Sequence, residues 1–125
     1  MARADFAWVN FDSRFTATNT EETRQFNVDG QPIGTGYLLI QALDIDRNQG
    51  HRIQINDRDL PSFDLPTQEG NGKWTAWMDR IPSGYLRSGP NTIKIIRHPE
   101  QIGGTFYVSD DFYIGNVAIH WREAG

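Results

Sequence analysis

The sequence predicts an all-β chain folded as a single antiparallel β-sandwich of about eight strands spanning residues 1–125. Three observations lead there. Apolar residues recur with a period of two, not 3.6. Clusters of Gly, Pro, Asn and Asp interrupt that alternation about every 8–12 residues, the spacing of a sandwich or barrel. No stretch of ordinary helical length carries an apolar stripe, and "PSGYLRSG" (82–89) has room for one helical turn at most.

Taken in order, "FAWVNF" (6–11) reads as a first strand and "TRQFNV" (23–28) as a second, closed by the turn "DGQPIGTG". "YLLIQALDI" (37–45) is apolar on both faces, as a covered central strand must be. In "HRIQIN" (51–56), Ile53 and Ile55 face one way and Arg52, Gln54 and Asn56 the other. "KWTAWMDRI" (73–81), "NTIKIIR" (91–97) and "TFYVS" (105–109) follow, and "FYIGNVAIHW" (112–121) ends the series. In that last segment Phe112 and Ile114 are even, whereas Val117, Ile119 and Trp121 are odd. The slip at Gly115–Asn116 predicts a β-bulge. His120 alternates with its apolar neighbours and is expected on the outer face.

The composition narrows the function classes. With 38% hydrophobic and 12% aromatic residues, four of them Trp, the chain has material for a core. A net charge of −4 and a pI near 5.2 argue against nonspecific binding to nucleic acid or an anionic membrane. Ten of the 12 basic residues are Arg, which suits planar paired contacts. The absence of Cys removes disulfides, thiol catalysis and thiolate zinc sites. The longest apolar run, "YLLI" (37–40), is far short of a membrane span. "MARADFAWVNF" does not read as a secretory leader, so the expected location is the cytoplasm.

The most distinctive phrase is "IPSGYLRSGPNTIKI" (81–95), preceded by "INDRDLP" (55–61). Pro90 suits a turn because it lacks an N–H, Gly84 and Gly89 open conformations closed to other residues, and Asn91 can bond local backbone. Together these phrases resemble a motif of galactose-binding-domain-like jelly rolls. That group includes carbohydrate-binding modules and sugar-binding accessory domains of glycoside hydrolases. Asp57 stands where Gly is usual. The ending "DDFYIGNVAI" (110–119) is similar to the closing strand of several such modules, with Gly115 where Asp is common. The resemblance implies a jelly-roll fold and noncatalytic glycan binding, and many modules of this class bind a structural Ca²⁺.

The residues themselves carry no catalytic motif. His51, His98 and His120 are scattered, and no Ser lies in a nucleophile elbow, so no enzyme is expected. If successive strands alternate in direction, loops 46–51, 79–90 and 109–111 share one end of the sandwich, and 57–72 and 98–104 the other. Asp46, Asn48, Asp110 and Asp111 at the first end are candidate ligands for calcium, which takes six to eight oxygens. The competing reading is that they form Asx-turns. For a glycan, stacking aromatics and hydroxyl-bonding polar groups are wanted. Trp77 is the leading candidate, since its parity opposes Trp74, Ala76 and Met78. Tyr107, Tyr113, His51 and Arg97 are the others. Each has an alternative as core, interface or solvated face. The loop 57–72 is expected to tuck down through Leu60, Phe63 and Leu65, or to contact a partner. The favoured function is a noncatalytic carbohydrate-binding module. The alternative is an assembly module mediating homo-oligomerisation or protein contact, since a jelly roll has edges to cover.

Overall fold

The computed structural model describes residues 3–45, 51–61, 74–97, 101–102, 105–106 and 111–124. These form ten strands, with no helix among the described residues: β1 (Arg3–Phe15), β2 (Glu21–Val28), β3 (Pro32–Leu43), β4 (Arg52–Ile55), β5 (Arg58–Asp59), β6 (Trp74–Ile81), β7 (Gly89–Ile96), β8 (Gln101–Ile102), β9 (Thr105–Phe106) and β10 (Phe112–Glu123). Eight of them build two antiparallel sheets, ordered β1-β10-β3-β6 and β2-β7-β4-β5, while β8 and β9 pair with each other. This is the expected all-β jelly-roll sandwich.

Between the sheets lies one apolar layer. Ile53, Ile55, Ile93 and Ile95 from the second sheet meet Leu38, Ile40, Ile114, Val117 and Ile119 from the first, all fully buried. Removing each such side chain from water contributes about 1.5–3 kcal/mol. Phe15 and Phe112 stack at 5.0 Å to close one end. Ile81 is buried and Leu86 packs against the core.

The two phrases of that motif are joined by amides. Asn56 and Asp57 form the two-residue turn of the β4–β5 hairpin, with φ of 50° and 65°. A loop of that length with both residues left-handed has the φ signature of a type I′ turn. Asn56 Nδ2 donates to the carbonyl of Tyr85 and to Asn91 Oδ1, both at 2.8 Å. Asn91 is fully buried. Its Oδ1 also accepts from the Arg87 N–H, and its Nδ2 donates to the carbonyls of Arg87 and Gly89. Asn56 Oδ1 receives the Thr92 N–H. Arg58 lies 4.0 Å over the Tyr85 ring, whose hydroxyl donates to the Asp59 carbonyl. The phrase therefore clasps one end of the second sheet.

This clasp corrects the expected division of loops. The chain leaves β3 and enters β4 at the end where β7 finishes and β10 begins. The 82–88 turn and the Asn56–Asp57 turn lie together at the opposite end. The two-residue return strand β5 reverses the chain once more than the sequence count allows, so every later connection up to β7 changes ends.

A second polar contact secures the last strand. Glu123 is 1% exposed, and its carboxylate accepts from the Trp121 indole N–H at 3.0 Å and from Arg3 Nε at 2.8 Å. Gly30 makes room for it, since a Cβ there would fall 2.6 Å from Glu123 Oε2. The indole donor, then the guanidinium, hold the Glu123 carboxyl below its ordinary value of 4.5 against the opposing effect of burial.

Three outcomes follow. Asn91→Ala leaves buried donors without acceptors and is expected to cost about 3 kcal/mol in urea unfolding. Asp57→Gly relieves a left-handed residue in a turn that favours Asn-Gly, and should raise stability by about 0.5 kcal/mol. Because Glu123 titrates lower when folded than when unfolded, its contribution is complete above 4.5 and fades as pH falls through the folded value. Glu123→Gln should therefore flatten the acid side of a stability–pH profile, with its deficit greatest near neutrality.

Candidate functional site

The first sheet is not regular, and its irregularity builds the site. Between matching rungs, β3 runs from Ile40 to Ala42, β10 from Ile114 to Val117 and β1 from Val9 to Ser13. Each strand toward β1 thus carries one more residue than its neighbour. The β10 bulge is the one that the parity slip at Gly115–Asn116 predicts. The β1 bulge places Asp12 at a φ of 44°.

Arg24 of β2 holds this distortion from below. Its Nε donates to the Asn10 carbonyl at 3.2 Å, and its Nη2 to the Phe11 carbonyl at 3.0 Å, Ser13 Oγ at 3.2 Å and Glu22 Oε1 at 3.0 Å. Its guanidinium also lies 4.9 Å over the Phe11 ring. Burial pushes the Glu22 carboxyl up, but bonds from Ser13, Asn19 and Arg24 outweigh it, and the net shift is downward. The Asn10 and Phe11 carbonyls at the bulge thereby gain a side-chain donor.

Over the bulges lies an open cavity of about 580 Å³, lined by Asp12, Gln41, Trp74, Thr75, Ala76, Tyr113, Gly115 and Asn116. Trp74 is 56% exposed. Its ring meets Tyr113 edge-on, with centroids 5.6 Å apart and planes at 89°. It lies above Gly115, where an added Cβ would fall 3.2 Å from the indole. Asn116 Nδ2 and Gln41 Oε1 are 3.5 Å apart on the floor. The arrangement offers an apolar platform, an aromatic edge, two carboxamides and one carboxylate, Asp12. Among the described residues, no group of three or more His, Asp or Glu gathers as a metal site.

Of the described candidates singled out from sequence, only Tyr113 lines this cavity. Trp77 does oppose Trp74, Ala76 and Met78 in parity, but it is the inner member, half-buried and packed against the core. The outward residues are Trp74 and Met78. His51 is 1% exposed, with its ring 4.6 Å from that of Phe112. Arg97 is 2% exposed and donates to Asp111 at 2.9 Å, while its N–H bonds the Thr20 carbonyl. Both are built into the sandwich end rather than offered at a surface. Tyr107, Asp46, Asn48 and Asp110 lie outside the described residues, as do Phe63 and Leu65, whereas Leu60 is buried as expected. Asp111, the remaining proposed calcium ligand, already has the Arg97 cation beside it. Trp74, Gln41, Asp12 and Asn116 were missed. The predicted bulge was the available signal, because bulges re-aim side chains.

Comparison with known proteins places the fold among glycan-binding modules and larger enzymes. The chain is similar to the CBM36-1 domain of a multidomain xylanase from the hindgut metagenome of Trinervitermes trinervoides, with TM-score 0.55 and 13% identity over 92% of this chain and 96% of that one. A family 35 carbohydrate binding module from Clostridium thermocellum gives TM-score 0.53 and 15% identity over 94% and 90%. Dimeric latent PorU from Porphyromonas gingivalis gives TM-score 0.64 and 9% identity over 98% of this chain, which spans 13% of PorU's length. At these identities the likeness is one of fold. No curated protein matches the sequence. The match that extends along nearly the whole chain, residues 3–123, is to DUF7383, and the protein belongs to that family of unknown function.

Proposed function

We propose that this chain is a noncatalytic carbohydrate-binding module whose site is the cavity beneath Trp74. One observation carries the reading: an exposed indole, braced edge-on by Tyr113, stands beside Gln41, Asn116 and Asp12 over a floor opened by two bulges. A sugar ring presents C–H groups on one face and hydroxyls at its rim. The indole suits the former, and the amides and carboxylate the latter. The jelly-roll fold shared with the family 35 and CBM36-1 modules supports the same class of ligand. The cavity's single described carboxylate provides neither an acid–base pair nor a nucleophile with its base.

A second reading, an assembly module making homo-oligomers or protein contacts, is favoured by further exposed apolar residues on the same face: Phe6, Trp8, Leu39 and Met78. Light scattering separates the two, since a monomer at high concentration speaks against self-assembly.

A glycan array with affinity gels tests the first reading, and absence of binding to every glycan removes it. Trp74→Ala is expected to weaken binding at least tenfold while leaving stability within about 0.5 kcal/mol. Gly115→Ala pushes a methyl against the indole and should lower affinity several-fold with little change in the unfolding midpoint. Unchanged affinity in both variants would place the ligand elsewhere.

A further inference from the structure

We propose that the site continues from Trp74 across the outer face of the first sheet, taking an extended oligosaccharide with Trp8 as its second stacking platform. This rests on the glycan-binding reading and specifies the ligand as a chain rather than a lone terminal sugar.

The strand register lays out the face as four successive rows. The first is Tyr113, Leu43 and Trp74, and the second Asn10, Asn116, Gln41 and Ala76. The third is Trp8, Ala118, Leu39 and Met78, and the fourth Phe6, His120, Tyr37 and Arg80. Large exposed side chains stand on the two outer strands: Phe6 and Trp8 at 58% and 59% exposure, Trp74 and Met78 at 56% and 63%. Between them Gly115 and Ala118 on β10 are buried, while Leu39 and Tyr37 on β3 stand 38% and 48% exposed. The face is lowest along β10, with Phe6 and Trp8 on one flank and Trp74 beyond β3 on the other.

Its chemistry alternates as well. Three carboxamides, from Asn10, Asn116 and Gln41, cross the face between the Trp74 row and the Trp8 row. His120, with its ring 5.7 Å from that of Phe6, adds a further polar group beyond. A second copy of this chain could satisfy that amide row only where its own carboxamides fell opposite in register, and each group left short of a bond would cost about 1–3 kcal/mol. Sugar hydroxyls supply both donors and acceptors to it. The face is therefore better matched to a glycan than to its own copy.

Trp8 and Trp74 lie three strand spacings apart across the sheet and two same-face steps apart along it, roughly 20 Å on the diagonal. A monosaccharide cannot touch both indoles, whereas a chain of several residues can.

The test is isothermal titration of xylo-, manno-, cello-, malto- and laminari-oligosaccharides, from disaccharide to hexasaccharide, against the wild-type chain, Trp8→Ala and Trp74→Ala. Affinity for the recognised series should rise with chain length and then level off. Trp8→Ala should cost about tenfold on the longest members and nothing on the disaccharide, and Trp74→Ala should weaken all of them. Phe6→Ser, at another exposed position, guards against a folding artefact at residue 8 and should mimic Trp8→Ala in milder form. Binding that depends on Trp74 but not on chain length or Trp8 overturns the track and leaves the local site standing. No binding in any series overturns the track, and absence of binding to every glycan on the array overturns the module reading with it. A stable dimer that Trp8→Ala dissociates assigns the face to a second copy and overturns the track.

Discussion

The extra residue that β10 carries between Ile114 and Val117 is the constraint from which the rest of the first sheet takes its shape. β10 lies between β1 and β3 and must hydrogen-bond to both while keeping Phe112, Ile114, Val117, Ile119 and Trp121 inside. It cannot absorb one residue without reversing its faces, so the surplus is pushed outward as a bulge. β1 answers with a bulge of its own. Between these rungs the residue content increases from β3 to β1, with a depression where the ladder is interrupted.

The depression would serve little without support from below. Arg24 reaches from the opposite sheet and donates to the Asn10 and Phe11 carbonyls at the β1 bulge. The bond to Phe11 is half-buried, contributes on the order of 1 kcal/mol and ties the β1 bulge to β2. Gly115 then contributes by what it lacks, since the Trp74 ring occupies the space a side chain would fill. Core, bulge and surface are thus one mechanical unit. At the far end, the Asn56–Asn91 clasp plays a separate part, fixing the hairpin and the 82–88 turn against each other well away from the cavity.

Much of this architecture was legible in the residues. Period-two alternation revealed the sheets, and the parity change between Ile114 and Val117 revealed the β10 bulge. The turn read at Gly89 and Pro90 instead lies inside β7, paired with Val28 and Asn27, while Ile93 and Ile95 of the same phrase are buried. The β1 bulge was not legible, because Val9, Phe11, Ser13 and Phe15 keep one parity straight through it. The two-residue β5 was equally hidden, for so short a strand has no period to show, and missing it put the 82–88 turn at the wrong end of the sandwich. His51 and Arg97 read as surface polar groups because no local pattern distinguishes a buried, partnered polar side chain from a solvated one.

What the sequence by itself determined was the class of fold, the main strands and the inward residues of most of them, since a β-strand's two faces follow directly from alternation. What only the tertiary structure decided was which face of β6 meets the core, and with it the choice between Trp77 and Trp74. Both faces of that strand carry a tryptophan, so alternation separates them into two sets without saying which set is inside. The answer depends on the hydrogen-bonded register with β3, which turns Ile81 and Trp77 toward the isoleucine layer and leaves Trp74 standing over Gly115 in the solvent.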